Sequence, residues 1–65
     1  MTFGEQILYA RRRAGLTQEA LSKAAGLHGP SVIDIERNRI PITKEGADRI
    51  LAVIASLAEQ KMAAA

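Results

Sequence analysis

Threonines and glycines punctuate this chain at intervals that suit helices. Thr2, Thr17 and Thr43 each stand just before a run with helical apolar spacing, and Gly15 and Gly26 each stand just after one. A threonine oxygen at a helix start accepts from a backbone N–H that has no partner inside the helix. A glycine just past the end takes the left-handed conformation that closes the last turn. Glu5 lies three residues after Thr2, where it completes a capping box. The punctuation predicts a first helix over Phe3 to Ala14, with Ile7, Ala10 and Ala14 on one face. It predicts a second over Gln18 to Ala25, with Leu21 and Ala25 turned inward.

The third and fourth segments follow from the prolines. Pro30 suits the first position of a helix, where its missing N–H has no partner anyway, and that helix is expected to reach about Arg37. Val32, Ile35 and Glu36 fall at its i, i+3, i+4 positions. Pro41 cannot continue a helix. Thr43 then caps a fourth one, expected to run about 15–20 residues. Ala47, Ile50, Ile54 and Leu57 form one apolar stripe along it, expected to close the core against the first and third helices. Leu51, Ala55, Ala58 and Met62 form a second stripe, about 100° away. No Gly or Pro interrupts Ala47 to Ala65, so one long helix is expected there. No strand alternation appears. The fold class is all-α, a small four- to five-helix bundle in one domain over 1–65.

Composition narrows the function. With 65 residues the core is small, and pairing with a second copy is a common remedy. There is no Cys and one His, His28, so no thiolate site and no His cluster can form, and no metal or cofactor is expected. No nucleophile–base constellation and no phosphate-binding glycine loop is present, so catalysis is not expected. The longest apolar run, Ile50 to Leu57, is broken by Ser56. It falls short of the roughly 20 residues of a membrane span. No signal peptide is evident at the N-terminus, so a cytoplasmic location with no membrane partner is expected. Net charge is only +2, so the placement of charge matters more than its sum.

The segment from Leu16 to Asn38 meets three needs of two short helices that cross at a tight turn. Ala24 or Ala25 is small where they touch. Gly26 is free to take positive φ. Leu21, Leu27, Val32 and Ile35 anchor both helices to the core. Such a pair lays its first helix across a DNA backbone and its second in the major groove. The residues Arg11, Gly15-Leu16-Thr17-Gln18, Leu21, Gly26, Val32, Ile35-Glu36-Arg37 and Pro41 make the chain resemble the Cro/C1-type, or Xre-like, helix-turn-helix regulators. The likeness spans roughly residues 4–57. It implies a lambda-repressor-like bundle with its helix-turn-helix at about 17–37. It also implies a transcriptional regulator, of phage-repressor or controller type, that binds double-stranded DNA.

Site residues follow from spacing and from this resemblance. Thr17 and Gln18 sit at the start of the second helix, where backbone N–H groups and the positive dipole end suit a phosphate. By the resemblance, Gln18 also reaches the groove edge, and Arg37, Arg39 and Lys44 surround a loop that grips the backbone. Base contacts are expected from His28, Gly29, Ser31, Ile33 and Asp34. Here the chain departs from the family, because neither Gly29 nor Pro30 offers a side-chain hydrogen bond. Asp34 suits a cytosine amino group, and Ile33 either meets a thymine methyl or is a partly covered surface residue. Direct readout is therefore expected to be sparse, with specificity leaning on DNA shape. Arg11 and Glu36 resemble a structural pair that links the first helix to the end of the third. The stripe Leu51, Ala55, Ala58 and Met62 is the expected homodimer interface. Two other readings use the same fold: an antitoxin-like protein that binds DNA and a toxin, and a module for a protein partner alone.

Overall fold

The computed structural model describes residues 1–64, and the side chains of all of these except residues 29, 30 and 64. Four helices follow one another: α1 (Phe3–Arg13), α2 (Gln18–Ala25), α3 (Gly29–Glu36) and α4 (Lys44–Ala64). No strand occurs among the described residues, so the fold is the expected all-helical bundle. Ala65, the last residue of the uninterrupted stretch from Ala47, lies outside the described residues.

The punctuating residues do what their chemistry requires. Thr2 Oγ1 accepts from Glu5 N at 3.1 Å, and Glu5 Oε1 accepts from Thr2 N at 2.9 Å, closing the capping box. Thr17 Oγ1 accepts from Ala20 N at 3.0 Å and Thr43 Oγ1 from Gly46 N at 3.1 Å. The first three helices end in the same paired backbone closure, in which two N–H groups beyond the last turn return to its carbonyls. Leu16 N reaches Arg11 O at 3.1 Å, Leu27 N reaches Ser22 O at 2.9 Å, and Arg39 N reaches Asp34 O at 2.8 Å. The left-handed residue is Gly15 (φ 69°), Gly26 (φ 68°) or Asn38 (φ 60°). Sequence reading did not foresee the third closure. Asparagine tolerates positive φ less freely than glycine, so it is a weaker stop signal.

The core draws on every helix. Ile7, Leu21 and Val32 are at most 1% exposed, and Ile35, Ala47, Ile50 and Ile54 complete the cluster. Full burial of one such Leu, Ile or Val side chain is worth about 1.5–3 kcal/mol. α1 packs on α3 and α4, and α2 packs on the same two helices. Gly4 lets α1 approach α3, because a Cβ there would overlap the Ile35 carbonyl oxygen.

Two details of α4 differ from expectation. Its main neighbours are α1 and α2, rather than α1 and α3; α3 is only eight residues long and packs mainly on α2 and α1. Leu57 is only half-buried and does not join the buried core, because α1 has already ended at Arg13. Beyond that point Lys61 meets the chain instead, donating to Gly15 O at 3.0 Å and Ala14 O at 3.4 Å. At 21 residues α4 is slightly longer than expected. At about 1.5 Å per residue it is roughly 30 Å long, against a longest extent of 35 Å for the molecule.

Candidate nucleic-acid interface

One carboxylate, that of Glu36 in α3, ties α1 and the start of α2 to the end of α3. Arg11 Nε donates to Glu36 Oε2 at 2.6 Å, and Arg11 Nη2 donates to Glu36 Oε1 at 3.1 Å. Arg11 and Glu36 are 8% and 5% exposed. The pair is therefore buried and two-pronged, the geometry in which guanidinium and carboxylate match best. Arg11 Nη1 also donates to Leu16 O at 2.9 Å, in the α1–α2 turn. Gln18 Nε2 donates to Glu36 Oε1 at 3.1 Å. No buried side-chain polar atom is left without a partner among the described residues.

That last bond settles which way the Gln18 amide faces. A carboxylate oxygen only accepts, so the Gln18 nitrogen must turn toward it. The Gln18 carbonyl oxygen and one remaining N–H are left for the outside. The resemblance pointed to Gln18 as a groove contact. Its bond to Glu36, and the role of Glu36 in holding it, were not foreseen.

The α2–α3 corner is braced a second time by Ser22, which is buried and donates its hydroxyl to Leu27 O at 2.9 Å. Sequence reading missed Ser22. A serine mid-helix shortly before a glycine stop is the signal that was available, because such a side chain readily bonds nearby backbone. Between α2 and α3 an open cleft is lined by Gln18, Glu19, Ser22, Lys23, Leu27 and Ile33.

The other expected contacts take varied positions. Thr17 is exposed and its oxygen already accepts from Ala20 N, so its hydroxyl proton remains available to an acceptor. His28 is exposed at the N-cap of α3 and its ring makes no capping bond. Ser31 is half-buried, and its N–H donates to His28 O at 2.9 Å. Gly29 opens α3, and its surroundings lie outside the described residues. Ile33 is half-buried in the cleft.

The basic residues of the loop are not equivalent. Arg37 is exposed and has no ion-pair partner among the described residues, whereas Arg39 Nη1 lies 3.8 Å from Asp34 Oδ1. Lys44 donates to Asp48 Oδ2 at 2.9 Å, one turn along α4. That hydrogen bond, with the Asp48 charge, raises the Lys44 pKa above its usual value. Arg13 stands apart from this surface, with its guanidinium 5.7 Å from the centre of the Tyr9 ring.

A second surface lies between α1 and α4. Tyr9, Ala10, Arg13, Ala14, Leu51, Ile54, Ala55 and Ala58 line one shallow apolar groove there. Leu51 and Ala58 are half-buried and Ala55 is exposed, while Met62, one turn further along α4, is 79% exposed.

The sequence matches the family model described as helix-turn-helix over residues 7–57, which contain α2, the turn, α3 and most of α4. No curated protein and no solved structure gives a significant match. None of the described helices is long and apolar enough to cross a membrane. The match covers most of the chain and brackets the Arg11–Glu36–Gln18 anchor, and the chain belongs to the Cro/C1-type helix-turn-helix family of DNA-binding domains.

Proposed function

We propose that this chain is a transcriptional regulator that binds a specific double-stranded DNA site as a homodimer, with α3 in the major groove. The observation that carries this reading is the fixed start of α2. Gln18 is held by Glu36 with its oxygen and one N–H outward, beside a Thr17 hydroxyl that keeps its proton. Those donors, with the unbonded N–H groups of the first turn, suit a phosphate oxygen. We assign the base contacts to His28, exposed at the N-cap of α3, and to Ser31, Ile33 and Asp34, which are half-buried on α3. Arg37 is the cation best placed for the backbone, because Asp34 and Asp48 draw on Arg39 and Lys44. The α1–α4 groove, with Leu51, Ala55 and Ala58 in its wall, suits a second copy. Two copies related by a two-fold axis address two half-sites about one DNA turn apart.

Binding to a labelled random duplex over a salt series tests the first part. Affinity should fall linearly on logarithmic axes, with a slope of about −0.9 per phosphate contacted. Binding that is absent at low salt, or indifferent to salt, would sink the DNA reading.

A further inference from the structure

Ile33 is an apolar side chain of α3 that the core does not use. Val32 and Ile35, on either side of it, are buried in the core cluster. Among the described residues packed against that cluster Ile33 does not appear, yet it is half-buried. Its cover comes from the α2–α3 cleft, whose walls are Gln18, Glu19, Ser22, Lys23 and Leu27. Leu27 lines the same cleft as Ile33 and is itself packed on the core. Gln18, at the rim, is fixed by Glu36. The cleft is thus an apolar dent with a braced polar edge, on the helix pair that carries the DNA reading.

We infer that Ile33 is a specificity-determining residue, and that Ile33 and Leu27 together receive the C5-methyl group of a pyrimidine in the major groove. This rests on the proposal that α3 enters that groove. A pyrimidine C5-methyl is the apolar group that base pairs present there, on thymine and equally on 5-methylcytosine, and apolar side chains recognise it by contact. Ile33 is β-branched and therefore stiff at χ1, so holding it against a methyl loses little rotamer freedom. Gly29 and Pro30, which precede it on α3, carry no hydrogen-bonding side chain. The apolar contact therefore carries more of the direct readout than it would on a helix rich in Gln or Arg. Desolvating one methyl group corresponds to about a four-fold change in affinity.

The experiment selects a preferred duplex from a random library with the intact chain. Each thymine in it is then replaced in turn by deoxyuridine, which lacks only the methyl, and each cytosine by 5-methylcytosine. Affinities are read by fluorescence anisotropy at one salt concentration. The expected result is one position per half-site that loses about four-fold on demethylation, or gains about four-fold on methylation. The first outcome identifies thymine as the source of the methyl, the second a methylated cytosine. Ile33→Ala should abolish the sensitivity at that position and leave the salt slope unchanged, and Ile33→Val should reduce it. The inference is overturned if every replacement is neutral while the intact chain still binds duplex DNA. It is also overturned if folded Ile33→Ala keeps the sensitivity. Failure to bind any duplex at low salt is a different result, which removes the DNA reading and this one with it.

Discussion

Gln18 and Arg11 meet at the same oxygen of Glu36: Nε2 of the first and Nη2 of the second each donate to Oε1 at 3.1 Å. The start of α2 is therefore fastened to the end of α3 through a buried charge that α1 neutralises. Half-buried Gln18 and buried Arg11 and Glu36 share one hydrogen-bond network. That network braces the orientation of α2 relative to α3.

Gln18→Ala should consequently do two things. It removes one hydrogen bond to a charged acceptor, worth about 1.5–3 kcal/mol. At about 4–8 °C per kcal/mol for a domain of this size, the melting temperature should fall visibly. It should also weaken DNA binding, by removing the outward amide. Gln18→Glu should be the worse change, since it sets a second carboxylate against Glu36. Thermal melts and anisotropy titrations report the two effects, and a Gln18→Ala protein normal in both would remove Gln18 from either role.

The Arg11–Glu36 pair should be costly to break and cheap to replace whole. Arg11→Met or Glu36→Leu alone strands a buried charge, at about 3–5 kcal/mol. Total stability for a chain of this length is only about 3–10 kcal/mol, so either variant should lose a large share of it and unfold at a much lower urea concentration. The double variant should lose much less than the sum of the two. Urea unfolding of all four proteins measures the coupling, and simple additivity would show that the pair contributes nothing as a pair.

Most of the fold is legible in the sequence because it is written in caps and stops. Thr2, Thr17, Thr43, Gly15 and Gly26 act on their nearest neighbours, and such local chemistry can be read from spacing alone. The Arg11–Glu36 pairing was accessible through the family pattern. The rest depends on packing at a distance. Nothing in the spacing of Gln18 and Glu36, or of Lys61 and Gly15, announces that they touch. Lys61 reaches Gly15 only because α4 runs past the end of α1. Asp34 and Arg39 were read as separate DNA contacts and lie 3.8 Å apart, since the turn at Asn38 folds Arg39 back along α3.

Two glycines should respond differently to the same substitution. Gly4→Ala puts a methyl group onto the Ile35 carbonyl oxygen and near Asn38 Oδ1, so α1 and α3 must separate. Overpacking of this kind costs about 1–3 kcal/mol, and an unyielding backbone acceptor places it at the upper end. Gly26→Ala has nothing within 4 Å of the new atom and suffers only its φ of +68°, at about 1 kcal/mol. Chemical denaturation should rank Gly4→Ala as the more damaging. The reverse order would mean that α1 and α3 do not pack as closely as described.

Acid should loosen the first turn of α1. The Thr2 backbone N–H, and then its hydroxyl, hold the Glu5 carboxyl below its ordinary value. A carboxyl lowered on folding stabilises the folded state at pH values above its unfolded pKa. That contribution fades as pH falls through the lower folded value. The protection of the Glu5 and Gln6 amides relative to intrinsic exchange should therefore fall as acid protonates the Glu5 carboxyl, and Glu5→Gln should remove that pH dependence. Protection that stays constant through this acid range in the intact chain would refute the capping box in solution.

The α1–α4 groove yields the prediction about assembly. Leu51, Ala55 and Ala58 line it with Tyr9, and Tyr9 and Met62 are 56% and 79% exposed, which leaves apolar area beside the groove uncovered. The small side chains let a second helix come close, while Tyr9 and Met62 supply contact area at the edges. A two-fold contact sets the same groove against itself, so one substitution acts twice in each dimer. Leu51→Glu is less clean than its place on the stripe suggests, because Leu51 also packs against the core. Ala55→Glu is the better probe, since Ala55 is exposed in the isolated chain. Sedimentation at micromolar concentration should show a dimer for the unaltered chain and a folded monomer for Ala55→Glu. The monomer should bind a single half-site with little change and a two-half-site duplex much more weakly. If the unaltered chain sediments as a monomer, or if Ala55→Glu remains a dimer, the groove is not the interface.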